Sequence, residues 1–261
     1  MTDLPTFADF GPAQLSAVVI AVYLVVGEPF VGYVLHRRFE GRLRTDPAAR
    51  RSFYRRLLVL EWGLALLALV VWAAATDVSA AQVGLVLPQR WPGPLSWLAI
   101  AALLVLVLAS TRALRSGALA GSPPEVLRRT RPGEARHAEP PGQATLALLP
   151  RSRSERRLFA LVGVTAGVCE EWLYRGLFLA VVAAAVPSLP DAVLVLVAGV
   201  AFGLAHGYQG LAGIVTTGVL GGVLAGVYLS TGSLLLPVLL HAAIDLRFLL
   251  VPASALPAAA R

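Results

Sequence analysis

The chain has 261 residues, 57% of them hydrophobic and only 14% charged, where a soluble domain carries about a quarter charged residues, so a water-soluble globular protein is excluded. Its formal charge of +7 rests on 22 basic residues, every one an Arg. These cluster beside apolar runs, so membrane topology and contact with anionic lipid account for them, and nucleic acid is not an expected partner.

Seven apolar runs are long enough, or nearly so, to cross a hydrocarbon core, which takes roughly 20 helical residues. They lie at about 14–35, 57–76, 95–113, 158–183, 190–207, 210–230 and 233–251. In lipid the backbone must satisfy its hydrogen bonds within the segment. The fold class is therefore all-α, a polytopic transmembrane helical bundle of about seven spans. The N-terminus, MTDLPTFADFGPAQL, has two Asp and no Arg before its apolar run, the wrong charge for a cleavable signal peptide, and the first run is expected to be a retained span. Eight Arg lie in 36–56 and ten in 112–157. By the positive-inside rule both stretches are cytoplasmic, which puts the N-terminus of a multi-pass cell-membrane protein outside and its C-terminus inside.

The stretch 121–150 is rich in Pro, Gly and charge and reads as a flexible cytoplasmic linker. The expected organisation is three N-terminal spans in 1–120, a linker over 121–157, a core of four spans in 158–251 and a tail at 252–261. His36 and His137 fall in the cytoplasmic stretches and read as solvated side chains. Cys169, the single cysteine, excludes an internal disulfide framework. In the span 210–230, Gly218, Gly222 and Gly226 recur four apart. That spacing favours close helix packing and is expected to draw together the helices bearing His206 and His241.

Each ionisable residue inside a span costs about 2.5–3.5 kcal/mol on insertion scales, so it defaults to a functional candidate facing the bundle interior. Those in the runs are Glu28, Glu61, Glu170, Glu171, Arg175, His206, His241, Asp245 and Arg247. In EEWLYR, Glu171 and Arg175 stand four apart, acid before base, and neutralise one another along one face. Glu170 is turned about 100° from Glu171 and has no local partner; it is the carboxylate free to act. FGLAHG sets Phe202 and His206 one turn apart, and HAAID does the same for His241 and Asp245. Glu170, His206, His241 and Asp245 form a convergent polar set on three helices. Glu171 and Arg175 read as structural or orienting, Phe202 as packing, and Glu28 and Glu61 as helix-packing groups. A lone intramembrane His reads equally well as interhelical glue; the coincidence of four groups points to a site.

Glu-Glu-x-x-x-Arg in EEWLYR, Phe-x-x-x-His in FGLAH and His-x-x-x-Asn/Asp in HAAID, in that order, resemble the CPBP intramembrane proteases. This is also called the Abi or CAAX-protease family and includes the Ras-converting CAAX endopeptidase. The resemblance covers about residues 158–251, and the first three spans carry no matching motif. It implies an intramembrane endopeptidase hydrolysing a peptide bond of a membrane-associated, prenylated or peptide substrate. Glu170 and His206 would position and activate a water, and His241 with the residue at 245 would stabilise the oxyanion. The third motif often ends in Asn, where this chain has Asp245. An ionised Asp cannot donate to an oxyanion, so Asp245 orients His241, binds a cation or donates in its protonated form.

Metal dependence stays open on these residues. The family is often labelled metalloprotease, and Glu170, His206 and His241 would be a donor set for Zn²⁺ with a position left for water. HExxH is absent, and a metal-free glutamate mechanism without a cofactor is the preferred reading. Inward acids and histidines also build proton relays, so a small proton- or ion-coupled transporter is a rival. A scaffold or bacteriocin-immunity protein that binds peptides without cutting them is the non-catalytic alternative. Expected partners are membrane lipids and a peptide or protein substrate at the membrane, and the Arg-only, Ala-, Gly- and Pro-rich composition suggests a GC-rich bacterial genome. His206 is expected at the cytoplasmic end of its span and Glu170 roughly 18 Å into its helix. The two meet only if that helix begins in the cytosol, which implies a water-filled cavity open to the cytoplasmic side.

Overall fold

The computed structural model describes residues 11–39, 42–43, 46–116 and 146–256, and every regular element among them is helical. Helix α1 joins Pro12–Val22, a π-helical turn at Tyr23–Gly27 and Glu28–Phe39; α2 is Pro47–Ala74 and α3 is Pro94–Arg115. Helix α4 runs as Arg153–Glu171, widens into a π-helical turn at Trp172–Phe178 and finishes as Leu179–Ala185. Then come α5 (Asp191–Ala205), α6 (Gly210–Thr231) and α7 (Leu235–Leu246), the last continued by a 3-10 turn at Arg247–Leu250. Each of the seven apolar runs falls on one of these helices.

Four helices are long and apolar enough to cross a membrane: Pro12–Phe39, Ala48–Ala74, Pro94–Arg115 and Gly207–Thr231. Asp191–Ala205 is also apolar but shorter. Val59, Val70, Leu98, Leu108 and Leu211 stand at least 66% exposed on the outer faces. So much bare hydrocarbon is tolerable only against lipid, and the molecule is a helical membrane bundle.

The inner faces share one core. Ile20 and Leu24 of α1, Ala65 and Ala68 of α2, Leu173 and Leu177 of α4, and Ala198 and Phe202 of α5 are buried in a single cluster. Helix α3 stands to one side. Its Ser96 bonds Ser230 of α6 at 3.2 Å, and its Leu114 packs with Leu146, Leu149, Val251 and Leu256. At the end of the bundle where α2, α6 and α7 meet, the loop 75–93 is stitched to the α6–α7 turn. Leu234 donates to the Gly84 carbonyl (3.0 Å) and Gln89 to that of Thr231 (2.9 Å).

Two close approaches bring the helices together, and only one was expected. Helix α6 lies against α5 through glycine: a Cβ on Gly199 would come within 2.8 Å of the Gly218 carbonyl oxygen. The second joins α4 to α7. A Cβ on Gly167 would meet Ala242 Cβ and its backbone nitrogen at 3.0 Å, and one on Gly163 would meet Asp245 Cβ at 3.2 Å. The helix bearing His241 is thus drawn in by Gly163 and Gly167 of α4, while Gly218 acts on the helix bearing His206.

The start of α4 is fixed by a buried ion pair. Arg50 of α2 donates to Glu155 at 2.9 Å and to the carbonyls of Ala147 and Leu43. Glu155 also accepts the backbone N–H groups of Arg151 (2.8 Å) and Ser152 (2.9 Å), closing a capping box with Ser152. Burial of Glu155 acts to raise its pKa, but the Arg151 and Ser152 amides and Arg50 outweigh it and hold the carboxyl below its ordinary value.

The expected linker therefore ends sooner than residue 157. Leu146, Ala147 and Leu149 are buried, and α4 begins at Arg153. Residues 117–145, which contain His137, lie outside the described residues. His36 is not the solvated loop residue anticipated. Helix α1 continues to Phe39 and carries His36, 5% exposed, to within 5.2 Å of the Tyr208 ring.

Candidate active site

Because α4 begins in the Arg-rich segment, Glu170 lies 17 residues along it, about 26 Å at 1.5 Å per residue. The π-helical turn starts just past it, and such turns recur at functional sites in helices. Residues 172–178 are all buried, so the wider turn packs both its faces and carries Arg175 into the interior.

Glu171 and Arg175 pair as their spacing implied, at 3.0 Å, and both are fully buried. Their surroundings are richer than a self-neutralising pair. Arg175 also donates to the Gly221 carbonyl of α6 at 3.0 Å, and its guanidinium lies 4.5 Å from the Phe202 ring centroid. Glu171 Oε1 accepts a second bond, from His241 Nδ1 at 2.7 Å. One carboxylate thus ties α4 to α7 and one guanidinium ties α4 to α6.

That bond sets the orientation of His241. Since the Glu171 carboxylate accepts at Nδ1, Nε2 points the other way. It lies 3.9 Å from Glu170 Oε2 and 4.0 Å from Asp245 Oδ2, both beyond direct hydrogen-bond reach. Of the roles open to Asp245, holding the His241 ring is filled by Glu171. Asp245 instead faces Nε2 of that ring. Glu170 Oε2 is buried and has no hydrogen-bond partner among the described residues.

His206 caps the C-terminal end of α5, and its Nδ1 lies 2.9 Å from the Phe202 carbonyl oxygen. A carbonyl only accepts, so Nδ1 carries a proton, and in the neutral ring Nε2 keeps its lone pair. The Phe202 ring stands 4.7 Å from the His206 ring and 5.7 Å from that of His241. Phe202 is packing, as expected, but packing that spaces the two imidazoles.

Glu170, His206, His241 and Asp245 line one cavity of about 700 Å³ between α3 and the four later helices. Glu170, His206 and Asp245 also face an adjoining cavity of about 270 Å³. Glu28 and Glu61, read from sequence as helix-packing groups, line that second space, and Glu28 accepts a 2.9 Å bond from Tyr174. The N-terminal helices therefore supply walls to both cavities: Glu28 and Glu61 in one, Leu103, Leu106 and Val107 of α3 in the other. Charge within an apolar run is the sequence signal that marks Glu28 and Glu61 as interior, whereas Leu103, Leu106 and Val107 carry none.

Glu170, His206 and His241 are the donor set considered for Zn²⁺. Among the described residues no three His, Cys, Asp or Glu are grouped so as to hold a metal ion. His241 Nδ1 bonds Glu171 and His206 Nδ1 bonds the Phe202 carbonyl, which leaves Nε2 of each ring as the nitrogen open to a ligand.

Fold and cavity together define a helical membrane protein with acids and histidines gathered at a polar site inside the bundle. Residues 153–247 match the family model described as Rce1-like, type II CAAX prenyl endopeptidase Rce1-like. This is the family that the three motifs resemble, and the match covers a little more than a third of the chain. No curated protein and no solved structure matches the chain.

Proposed function

We propose that the protein is an intramembrane endopeptidase that hydrolyses a peptide bond of a membrane-associated substrate, using a water activated by Glu170 and His206. The observation that carries this reading is the convergence of Glu170, His206, His241 and Asp245 on one cavity within the segment that matches the peptidase family. Glu170 Oε2 and the free Nε2 of His206 hold a water between them, and Glu170 takes its proton as the oxygen attacks the scissile carbonyl carbon. The carbonyl electron pair moves onto oxygen, and His241, locked by Glu171 and acting as the imidazolium with a proton on both ring nitrogens, donates to it from Nε2. Collapse of the intermediate breaks the C–N bond, and the proton on Glu170 passes to the leaving amine. Asp245 serves the oxyanion as a donor in its protonated form. Each step uses only this chain's residues and water.

In this reading all seven helices span the membrane, with α5 and α7 as short spans. The N-terminus lies outside, the C-terminus lies in the cytoplasm, and the cavity opens to the cytoplasmic side. Glu170→Gln is expected to lower cleavage by about a thousandfold or more while leaving the melting temperature in detergent near that of the parent. The assay compares membrane and secreted peptides from cells carrying either protein. An unchanged peptide profile would remove the proteolytic reading and favour a binding scaffold. Cys placed at 206 or 241 should react with a cytoplasmic-side reagent; labelling from the outer face alone would reverse the orientation.

A further inference from the structure

We infer that α1 sets the spacing of the His206 and His241 rings through Tyr174, which makes Tyr174 and Glu28 positioning residues for the site. The effect on rate rests on the endopeptidase reading above; the effect on the rings does not.

Two π-helical turns meet at Tyr174, one at Tyr23–Gly27 in α1 and the other at Trp172–Phe178 in α4. Such turns recur at functional sites. The first leaves the Leu24 carbonyl without a helical donor. The N–H of Glu28 goes to the Tyr23 carbonyl, and residue 29, next in line, is a Pro and has none. The Tyr174 hydroxyl fills that place at 3.2 Å and shares its proton with Glu28 Oε2 at 2.9 Å. A carbonyl and a carboxylate of α1 therefore depend on one hydroxyl of α4. Helix α1 lies outside the residues that match the peptidase family.

The ring on that hydroxyl bears on the site. Tyr174 is 1% exposed and meets the Phe202 ring edge-on, at 5.2 Å and 89°. Phe202 is equally buried, and its ring lies 4.7 Å from His206 and 5.7 Å from His241, with the Arg175 guanidinium at 4.5 Å. Glu28 and Tyr174 also line the smaller cavity beside Glu170 and His206. Without the hydroxyl, α1 and α4 shift to satisfy the stranded oxygens. The Tyr174 ring moves with α4, and Phe202 moves with the ring, because a close-packed interior transmits displacement.

The test compares Tyr174→Phe, Glu28→Ala and Glu28→Gln with Tyr228→Phe. Tyr228 is the matched control: it is buried, its hydroxyl donates to the Gln82 carbonyl at 3.4 Å, and it lines neither cavity of the site. The chain has four His, so ring ¹⁵N spectra of His-labelled protein in detergent hold few signals, and His206→Gln and His241→Gln assign the two that matter. Tyr174→Phe and Glu28→Ala should move both signals and lower kcat about tenfold or more, with KM within about twofold of the parent. Glu28→Gln, which keeps an acceptor for the hydroxyl, should restore most of what Glu28→Ala loses. Tyr228→Phe should leave the signals and kcat in place. If Tyr174→Phe does not fold, the two Glu28 variants carry the same comparison. Ring signals that stay in place in Tyr174→Phe and Glu28→Ala would overturn the proposal whatever the rate does, and so would equal changes in Tyr174→Phe and Tyr228→Phe. Absence of cleavage by the parent protein would count against the endopeptidase reading alone, and the spectra would still decide the role of Tyr174.

Discussion

Adding a single methyl group at Gly167 tests the closure of α7 onto α4. The new Cβ would meet Ala242 Cβ and backbone nitrogen at 3.0 Å and the Val238 carbonyl oxygen at 3.1 Å, where carbon contacts rest at about 3.5–4.0 Å. Two of those three atoms are backbone, so α7 itself must retreat by about half an ångström. His241 is the neighbour of Ala242, and its 2.7 Å bond to Glu171 stretches with it. Overpacking of this kind costs about 1–3 kcal/mol, and replacing a helical Gly by Ala returns about 0.5–1 kcal/mol, so a net loss of about 1 kcal/mol is expected. Catalysis should suffer more than stability, because misplacement of a catalytic group by about 1 Å can cost a hundredfold. Gly63→Ala in α2 is the control, with nothing within 4 Å of its Cβ; it should be as stable and as active as the parent, or slightly more stable. Thermal unfolding in detergent and initial rates of peptide cleavage supply the two readouts. If Gly167→Ala behaves like Gly63→Ala in both, the α4–α7 contact does not position His241.

Arg50→Ala should destabilise the fold by about 3 kcal/mol, since it strands a buried carboxylate, and Arg50→Lys should recover little, because an ammonium cannot reach Glu155 and two carbonyls in the same fork. Glu155 also sets a pH dependence. Its carboxyl is held below the unfolded value near about 4.3, so its contribution is complete above that pH and is lost as pH falls through the folded value; the melting temperature should drop in acid more steeply for the parent than for Glu155→Gln. Asp245→Asn, which keeps a donor facing His241 Nε2, should retain cleavage, whereas Asp245→Ala should lose about tenfold or more; equal losses would remove Asp245 from the oxyanion site. Purified protein stripped with chelator is expected to keep its activity, and loss of cleavage restored by Zn²⁺ would overturn the metal-free mechanism.

The seven helices were legible because lipid imposes so simple a rule. An apolar run of sufficient length must be a helix, and all seven runs are. The Glu171–Arg175 pair was legible for a similar reason, as a spacing of four within one helix constrains geometry locally. The role of Glu171 toward His241 was not, because it joins residues 70 positions apart on helices whose rotation depends on everything packed between them. Gly163 and Gly167 carry the same four-residue spacing as Gly218 and Gly222. Spacing does not say which neighbour a small-residue face will meet, so the contact that places His241 was assigned to the wrong stripe. His36 was misplaced because the end of α1 was set by hydropathy, and the helix continues past the apolar run into its charged flank.

The sequence by itself determined the class of fold, the places where charge enters the bundle and the order of three motifs, since each depends on neighbours within about one helical turn. Tertiary structure alone decided which nitrogen of each histidine is free, that Phe202 spaces the two rings, and that Glu28, Glu61 and α3 wall the cavities. These properties belong to contacts between helices. A hydrophobic pattern specifies that a face is buried and leaves to packing the question of what it is buried against.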